Sequence, residues 1–571
     1  MEYIIGAVIV VICIFAGAYY LQKKADQKLE NKIRNSFGNV PDLEYKQEKY
    51  ESIGFYSREM AKRHPDDKDH FTVDNITWND LDMDDVFLTA CATQSAIGEE
   101  YLYYLLRTPA LNNETLAKRE KLIRFFEKDP ETRVKIQLAL AKAGKISGIS
   151  VYEYVSRLDS LKEENNFKHF SCIVLMVAAI SMIFVYPPIG IVGTLGVFFY
   201  NVISYFKRKS EIENYYQVVA YILRTLDLSQ KLCSFKCEEL KPYTEVLSEE
   251  LKRYKNVTKG AALIVSKKSS GDILEVALDY LRMATHIDLI RFNIMLKRLK
   301  DKKDDFDKIY ETIGLIDAMI AAASYRELMG DWCEPELFEK KDSISLGEKH
   351  RGINAENIYH PMIAEPVKNN FSEKGNVLLT GSNASGKSTF IKTVAINSIL
   401  AQSIHTCMAD SFKASFFKCM TSMALTDNLS GGESYYIVEI KSLKRICDSL
   451  NDDVPLLIFV DEVLRGTNTL ERIAASSRIL SYVGNKNCML FAATHDIELT
   501  YILEKSFKLY HFEEKVEDDG VFFDYTLRDG RAVTRNAILL LKMMGFEESI
   551  TDAAEKAADE FVTTGEWKPE S

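Results

Sequence analysis

Asn376-Val377-Leu378-Leu379-Thr380-Gly381-Ser382-Asn383-Ala384-Ser385-Gly386-Lys387-Ser388-Thr389 is the stretch that decides the fold. A short apolar run leads into a turn that fits G-x-x-x-x-G-K-S, and a helical pattern follows from Thr389 through Ala401. Strand, loop and helix in that order make a phosphate cradle. The glycines let backbone N–H groups curl round the phosphates, the helix N-terminus adds partial positive charge, and Lys387 places a point charge on the β and γ phosphates. Ser388 is expected to coordinate Mg2+, so Gly381, Asn383, Ser385, Gly386, Lys387, Ser388 and Thr389 are the candidate contacts for ATP.

Downstream, the apolar run Pro455 to Val460 ends in Asp461-Glu462, and Cys488 to Ala493 ends in Thr494-His495-Asp496. Buried strands alternating with helices imply a mainly parallel sheet with its chemistry at the strand ends. A carboxylate at Asp461 can hold the magnesium shell together with Ser388, and Glu462 beside it can orient or deprotonate the attacking water. His495 ends a neighbouring strand, where it can sense the γ-phosphate or polarise that water. Acidic residues also end strands merely as helix caps, and a lone histidine is more often structural; the phosphate cradle upstream favours the chemical roles. Asp427 to Ser434 is a polar, glycine-containing turn opening a helix through Tyr435, Ile437, Val438 and Ile440. Such an N-terminus can meet a phosphate. With the chain's own site filled by the cradle, the natural user is the nucleotide of a partner subunit, which makes Ser434 a contact across a dimer; an intramolecular capped helix is the alternative.

Upstream the sequence changes character. Tyr3 to Leu21 is almost uninterrupted apolar sequence, long enough to cross roughly 30 Å of hydrocarbon. Lys23, Lys24, Lys28, Lys32 and Arg34 follow it, which predicts an anchor with its N-terminus outside and the body in the cytoplasm; a cleaved leader is the competing reading. A second block, Phe167 to Phe206, carries Pro187-Pro188 at its middle and is closed by Lys207, Arg208 and Lys209, as expected of a hairpin of two spans rather than a buried helical hairpin. The expected location is therefore the cell membrane, multi-pass, with lipid as a partner.

The 571 residues allow roughly three to four domains. A formal charge of −11 excludes a protein whose whole surface wraps nucleic acid, while a local basic patch is still allowed. Ten cysteines without paired ligand spacing suit a reducing compartment; Cys233 and Cys237 form a lone C-x3-C, too little for a zinc site. The chain is thus expected to divide into an anchor (1–22), a polar linker (23–80), a helical core (81–166), a transmembrane hairpin (167–206), a second helical part (207–340) and an ATPase domain with C-terminal helices (341–571).

Taken together, these motifs resemble the ATPase domain of the MutS family of DNA mismatch repair proteins. The resemblance rests on His360-Pro361, on Thr380 to Thr389, on Asp427 to Glu439, on Asp461-Glu462-x-x-Arg465-Gly466-Thr467-x-Thr469 and on Ala493-Thr494-His495. It implies an α+α/β fold, a helical core followed by a P-loop NTPase domain of the MutS/ABC type. It further implies ATP and Mg2+, with Lys387 and Ser388 on phosphate and metal, Asp461 and Glu462 serving hydrolysis, His495 as the switch histidine and Ser434 reaching the opposite subunit of a dimer that embraces DNA. Ser382, Ala384, Ser385 and Leu464 depart from the family's usual residues, and Val367 stands near where many members stack an aromatic on adenine. About eighty residues precede the helical core, too few for the family's mismatch reader. The expected function is a membrane-anchored MutS-like ATPase whose cycle couples to DNA, with Arg291, Lys297, Arg298, Lys300, Lys302 and Lys303, and Lys252, Arg253 and Lys255, as the cationic stretch that meets it. Asp301, Asp304, Asp305 and Asp307 dilute that stretch. An ABC-type transport ATPase, suggested by Leu429-Ser430-Gly431-Gly432-Glu433, and a tether acting on a protein partner are the alternatives.

Overall fold

The computed structural model describes residues 2–43, 47–63, 71–146, 148–162, 164–255, 273–339, 351–382, 385–423, 435–450, 454–465, 467–517, 520–532 and 537–567. The chain forms two compact units, one made of 1–66, 87–105 and 118–328, the other of 67–86, 106–117 and 329–571.

The first unit is helical. Its centre is the helix Lys303–Met329, whose Ile309, Tyr310, Ile313, Ile316, Met319 and Ile320 are all buried. Asp317 on that helix accepts hydrogen bonds from the backbone N–H of Ser95 at 2.8 Å and of Gln94 at 3.0 Å, so a buried carboxylate caps the start of the helix Ala96–Arg107. The approach leaves room only for glycine at 98: a Cβ there would lie 2.2 Å from Asp317 Oδ2. Residues 23–63, expected to be tether, are largely folded. The first helix runs unbroken from Glu2 to Ser36, and Ile53, Tyr56 and Met60 recur at helical spacing and bury one face of the segment. Charge on the remaining positions hides that stripe from a composition reading.

The apolar block forms two antiparallel helices, Phe167–Val185 and Pro187–Leu232, turning at Tyr186. The second helix does not stop near Phe206. Its 46 residues amount to about 69 Å at 1.5 Å per residue, more than twice a hydrocarbon thickness. Along its length it passes from outward-facing Ile189, Val192, Phe199 and Ile203 to buried Ile212, Val218, Tyr221 and Leu226. Where the two regimes meet, polar groups knit the hairpin to the following helices: Asn201 Nδ2 donates to Ala284 O at 2.8 Å, and Tyr205 OH donates to Asp288 at 2.7 Å. Several members of the basic stretch are engaged within this unit, Arg253 with Asp305 at 2.5 Å and Lys300 with Leu161 O at 2.6 Å.

The second unit is α/β. Its strands are β1 (Glu336–Phe338), β2 (Ile353–Ile358), β3 (Asn369–Glu373), β4 (Asn376–Thr380), β5 (Ser411–Ser415), β6 (Lys418–Ser422), β7 (Leu456–Asp461), β8 (Cys488–Ala493), β9 (Phe507–His511), β10 (Glu514–Glu517), β11 (Gly520–Phe523) and β12 (Arg528–Asp529). Six of them form a sheet in the order β12-β9-β4-β8-β7-β6, parallel throughout except for β12. Buried on both faces, β4 and β8 read as continuous apolar runs for that reason. A second sheet, β1-β5-β2-β3, and the hairpin β10–β11 accompany it. The β6 edge is covered by the short helix Asn75–Asp80, whose buried Asp80 accepts from Thr421 Oγ1 at 2.6 Å and Met423 N at 2.9 Å.

Candidate nucleotide site

Three strand ends converge because β4, β8 and β7 are consecutive in the sheet. The register sets Leu379 against Ala493 and Asp461 against Ala493, so the loops after all three emerge on one edge. Asn376 fastens the other end of this layer, donating to Gly484 O at 2.9 Å and accepting from Leu490 N at 3.2 Å.

From Thr380 the chain turns through Gly381, at φ +144°, and Gly386, at φ +104°, into the helix Lys387–Ser403. Tyr525 lies against Gly386, where a Cβ would come 3.0 Å from its ring. Lys387 Nζ curls back onto the carbonyls of Gly381 at 2.8 Å and Ser382 at 2.7 Å. Burial lowers its pKa to about 8, against the opposing charges of Asp461 and Glu462. Ser385 Oγ is buried without a hydrogen-bond partner among the described residues. A caged ammonium and an orphaned hydroxyl at a helix N-terminus are what an oligophosphate would satisfy.

Ser388 Oγ donates to Asp461 Oδ2 at 2.5 Å, so the two expected magnesium ligands already face each other. An alcohol and a carboxylate are the hard oxygen donors that Mg2+ takes, and the donor set fits the ion. Glu462 is held by His495 Nε2 at 2.8 Å and by the Arg465 guanidinium, while His495 Nε2 lies 3.4 Å from Lys387 Nζ. Burial pushes the Glu462 carboxyl up, but the His495 hydrogen bond and the charges of Arg465 and Lys387 outweigh it and hold the group below the ordinary range. Thr389 follows on the same helix. Asn383, Gly466 and Ser434, with the rest of the turn from Asp427, lie outside the described residues.

The loop after β7 is strained. Glu462 at φ +55° and Leu464 at φ +61° are both left-handed without being glycine, a cost of order 1–3 kcal/mol each. Glycine at position 464 would take up this backbone without strain. Three contacts were invisible in the linear sequence because the partners are far apart in it: Glu439 bonds the backbone N–H of Leu464, Ser382 Oγ donates to Glu514, and Tyr525 overlies Gly386. A cleft of about 460 Å³ opens over the cradle, bounded by Val367, Ile363, Tyr525, Lys387, Glu462 and Arg465. Val367 therefore does line the cleft, together with the aromatic rings of Phe390, Phe512 and Tyr525.

Residues 377–562 match the family model for MutS domain V. The chain carries a MutS domain V. Proteins named DNA mismatch repair protein MutS are similar to it over about half its length. The one from Leptospira interrogans is 31% identical over 290 residues, covering 49% of this chain and 33% of the relative. That from Aquifex pyrophilus is 28% identical over 289 residues, covering 48% and 32%. That from Petrotoga mobilis is 26% identical over 353 residues, covering 54% and 42%. The chain thus spans about a third of the length of the Leptospira and Aquifex relatives, and its likeness to them is confined to that shared region. The glycine turn, Lys387, Asp461, Glu462 and His495 all fall inside the matched MutS domain V.

Proposed function

We propose that this protein is a membrane-anchored MutS-like ATPase that binds and hydrolyses Mg-ATP as a dimer and couples the cycle to DNA. The observation that carries the reading is the convergence of Lys387, Ser388, Asp461, Glu462 and His495 at one edge of a parallel sheet. Lys387 and the N–H groups at the start of the helix Lys387–Ser403 would hold the phosphates, and Ser388 with Asp461 would hold Mg2+. The ion, when bound, neutralises charge on the phosphates. Glu462 takes the position of the group that orients water, and His495 holds one of its oxygens. Tyr525 and Val367 flank the cleft where a base would lie.

Anchoring is supported by the helical hairpin. Its two helices contain windows of mean hydropathy 2.0 and 1.6, and only 17% of either window is buried, whereas a hairpin in a soluble core would be covered. The unbroken first helix, Glu2–Ser36, carries the apolar run that would anchor the N-terminus outside. DNA coupling leans on the family likeness, since part of the basic stretch is already paired within its own unit.

The test is the ATPase rate of the full-length protein in detergent, with Lys387→Ala as control, alone and with homoduplex, mismatched and branched DNA at two salt concentrations. Hydrolysis lost in Lys387→Ala and stimulated by DNA in a salt-sensitive way is expected. Hydrolysis indifferent to every DNA would redirect the cycle to a protein partner.

A further inference from the structure

We propose that Glu439 is a positioning residue for Glu462, holding the loop 462–465 in the left-handed form that aims the water-orienting carboxylate into the site. The inference rests on the ATPase reading above and adds to it a residue that touches neither nucleotide nor metal.

Glu439 lies on the helix Tyr435–Asp448 and is 4% exposed. Its Oε1 accepts the backbone N–H of Leu464; burial pushes the carboxyl up from its ordinary range, against the pull of that N–H and of the next one, on Arg465, which favour the charged form. Two successive N–H groups converging on one anion make a nest, a backbone form that left-handed residues produce and that a bound carboxylate stabilises. Here the carboxylate comes from the protein itself. Leu464 and Glu462 sit in the left-handed region on either side of Val463, so the turn persists only where its surroundings over-determine it. On one side the loop is fastened by Glu462 N donating to Ala493 O at 2.9 Å; on the other, the nest around Glu439 fastens it. Arg465, which follows the nest, reaches back to Glu462, and His495 takes the other carboxylate oxygen. Release of the nest lets the turn relax to right-handed backbone, carrying Arg465 and the Glu462 side chain away from His495.

Leu464 supplies the means to separate this role from simple packing. Glycine adopts φ +61° without strain, so Leu464→Gly removes part of what Glu439 holds in place. The experiment compares wild type, Glu439→Ala, Glu439→Gln and Glu439→Ala/Leu464→Gly as full-length proteins, reading kcat, the affinity for a fluorescent ATP analogue and amide exchange at Leu464 and Arg465. Expected for Glu439→Ala are a kcat lowered about tenfold, analogue affinity within about twofold of wild type, and faster exchange at both amides. Glu439→Gln, which keeps one carbonyl oxygen for Leu464 N–H, recovers most of kcat, and Leu464→Gly in the Glu439→Ala background recovers part. Loss of kcat and affinity in equal measure, or no recovery in either rescue, overturns the proposal. If wild type itself does not hydrolyse ATP, the functional reading fails on its own. Amide exchange then decides, since unchanged exchange at Leu464 and Arg465 in Glu439→Ala overturns the positioning role without reference to hydrolysis.

Discussion

His495 Nε2 lies 2.8 Å from Glu462 Oε1, each residue just past the C-terminal end of its strand, β8 and β7, which are neighbours in the sheet. The pairing is a consequence of parallel register, with Asp461 opposite Ala493, and it gives the carboxylate a defined direction next to Lys387. A group so oriented and kept ionised suits the water step rather than the phosphate-binding step.

Substitutions at the two ends of the site should therefore separate. Lys387→Ala is expected to abolish binding of a fluorescent ATP analogue, because it removes the point charge in the cradle. Glu462→Ala is expected to leave that binding within a few-fold while lowering kcat by about 100-fold or more. Equal loss of binding in both variants would contradict the division of labour.

Gly386 should not tolerate a side chain. At φ +104°, with Tyr525 Cδ1 only 3.0 Å from where a Cβ would stand, Gly386→Ala combines backbone strain with a close contact. Nucleotide affinity is expected to fall about tenfold, equivalent to about 1.4 kcal/mol. Adding Tyr525→Ala removes the contact but not the strain, so only partial recovery is expected in the same titration. Full recovery would mean that the ring alone enforces the glycine.

Asp80 is a latch at the β6 edge of the main sheet. Removing its carboxylate strands the Thr421 hydroxyl and the Met423 N–H in a buried place, which costs about 1–3 kcal/mol. Asp80→Ala should lower the denaturation midpoint and speed amide exchange at Met423 before it affects β4. Uniform exchange across the sheet would argue that the edge has no separate stability.

Glu100 gives the helical unit a pH dependence. Burial raises its pKa from 4.5 to about 7, against hydrogen bonds donated by Ser150, Tyr310 and Val151. Between those two values the folded chain holds a proton that the unfolded chain has lost. Stability is therefore greatest below the unfolded pKa and falls as pH rises through the folded one, by up to about 3 kcal/mol at about 1.36 kcal/mol per unit. Resistance of wild type to denaturation should weaken from about pH 5 to about pH 8, and Glu100→Gln should flatten that slope. An equal slope in both proteins would remove Glu100 as its source.

The two halves of the molecule differ in how openly their residues declare themselves. The phosphate cradle is legible because a local chain of strand, glycine turn and helix performs its task with residues adjacent in sequence. The apolar hairpin is legible because two long apolar arms with a proline pair between them admit few other structures. By contrast, residues 47–63 read as tether although Ile53, Tyr56 and Met60 bury a continuous stripe, since charged neighbours dominate the composition. The end of the hairpin is also hidden: apolar and amphipathic patterns are both helical, so the chain shows no punctuation where outward-facing Ile203 gives way to buried Tyr205 and Ile212.

By itself the sequence determined the strand-loop-helix that can cradle phosphate, the acidic pair and histidine at strand ends, and the apolar lengths that can span a bilayer, because each depends on short-range spacing and composition. Only the tertiary structure decided that Glu462 meets His495 and Arg465, that Glu439 closes a nest around Leu464, and that Tyr525 overlies Gly386. Those contacts depend on strand order and on backbone left-handed at non-glycine residues, and neither is written in any local run of residues, because both are imposed by packing between segments distant in the chain.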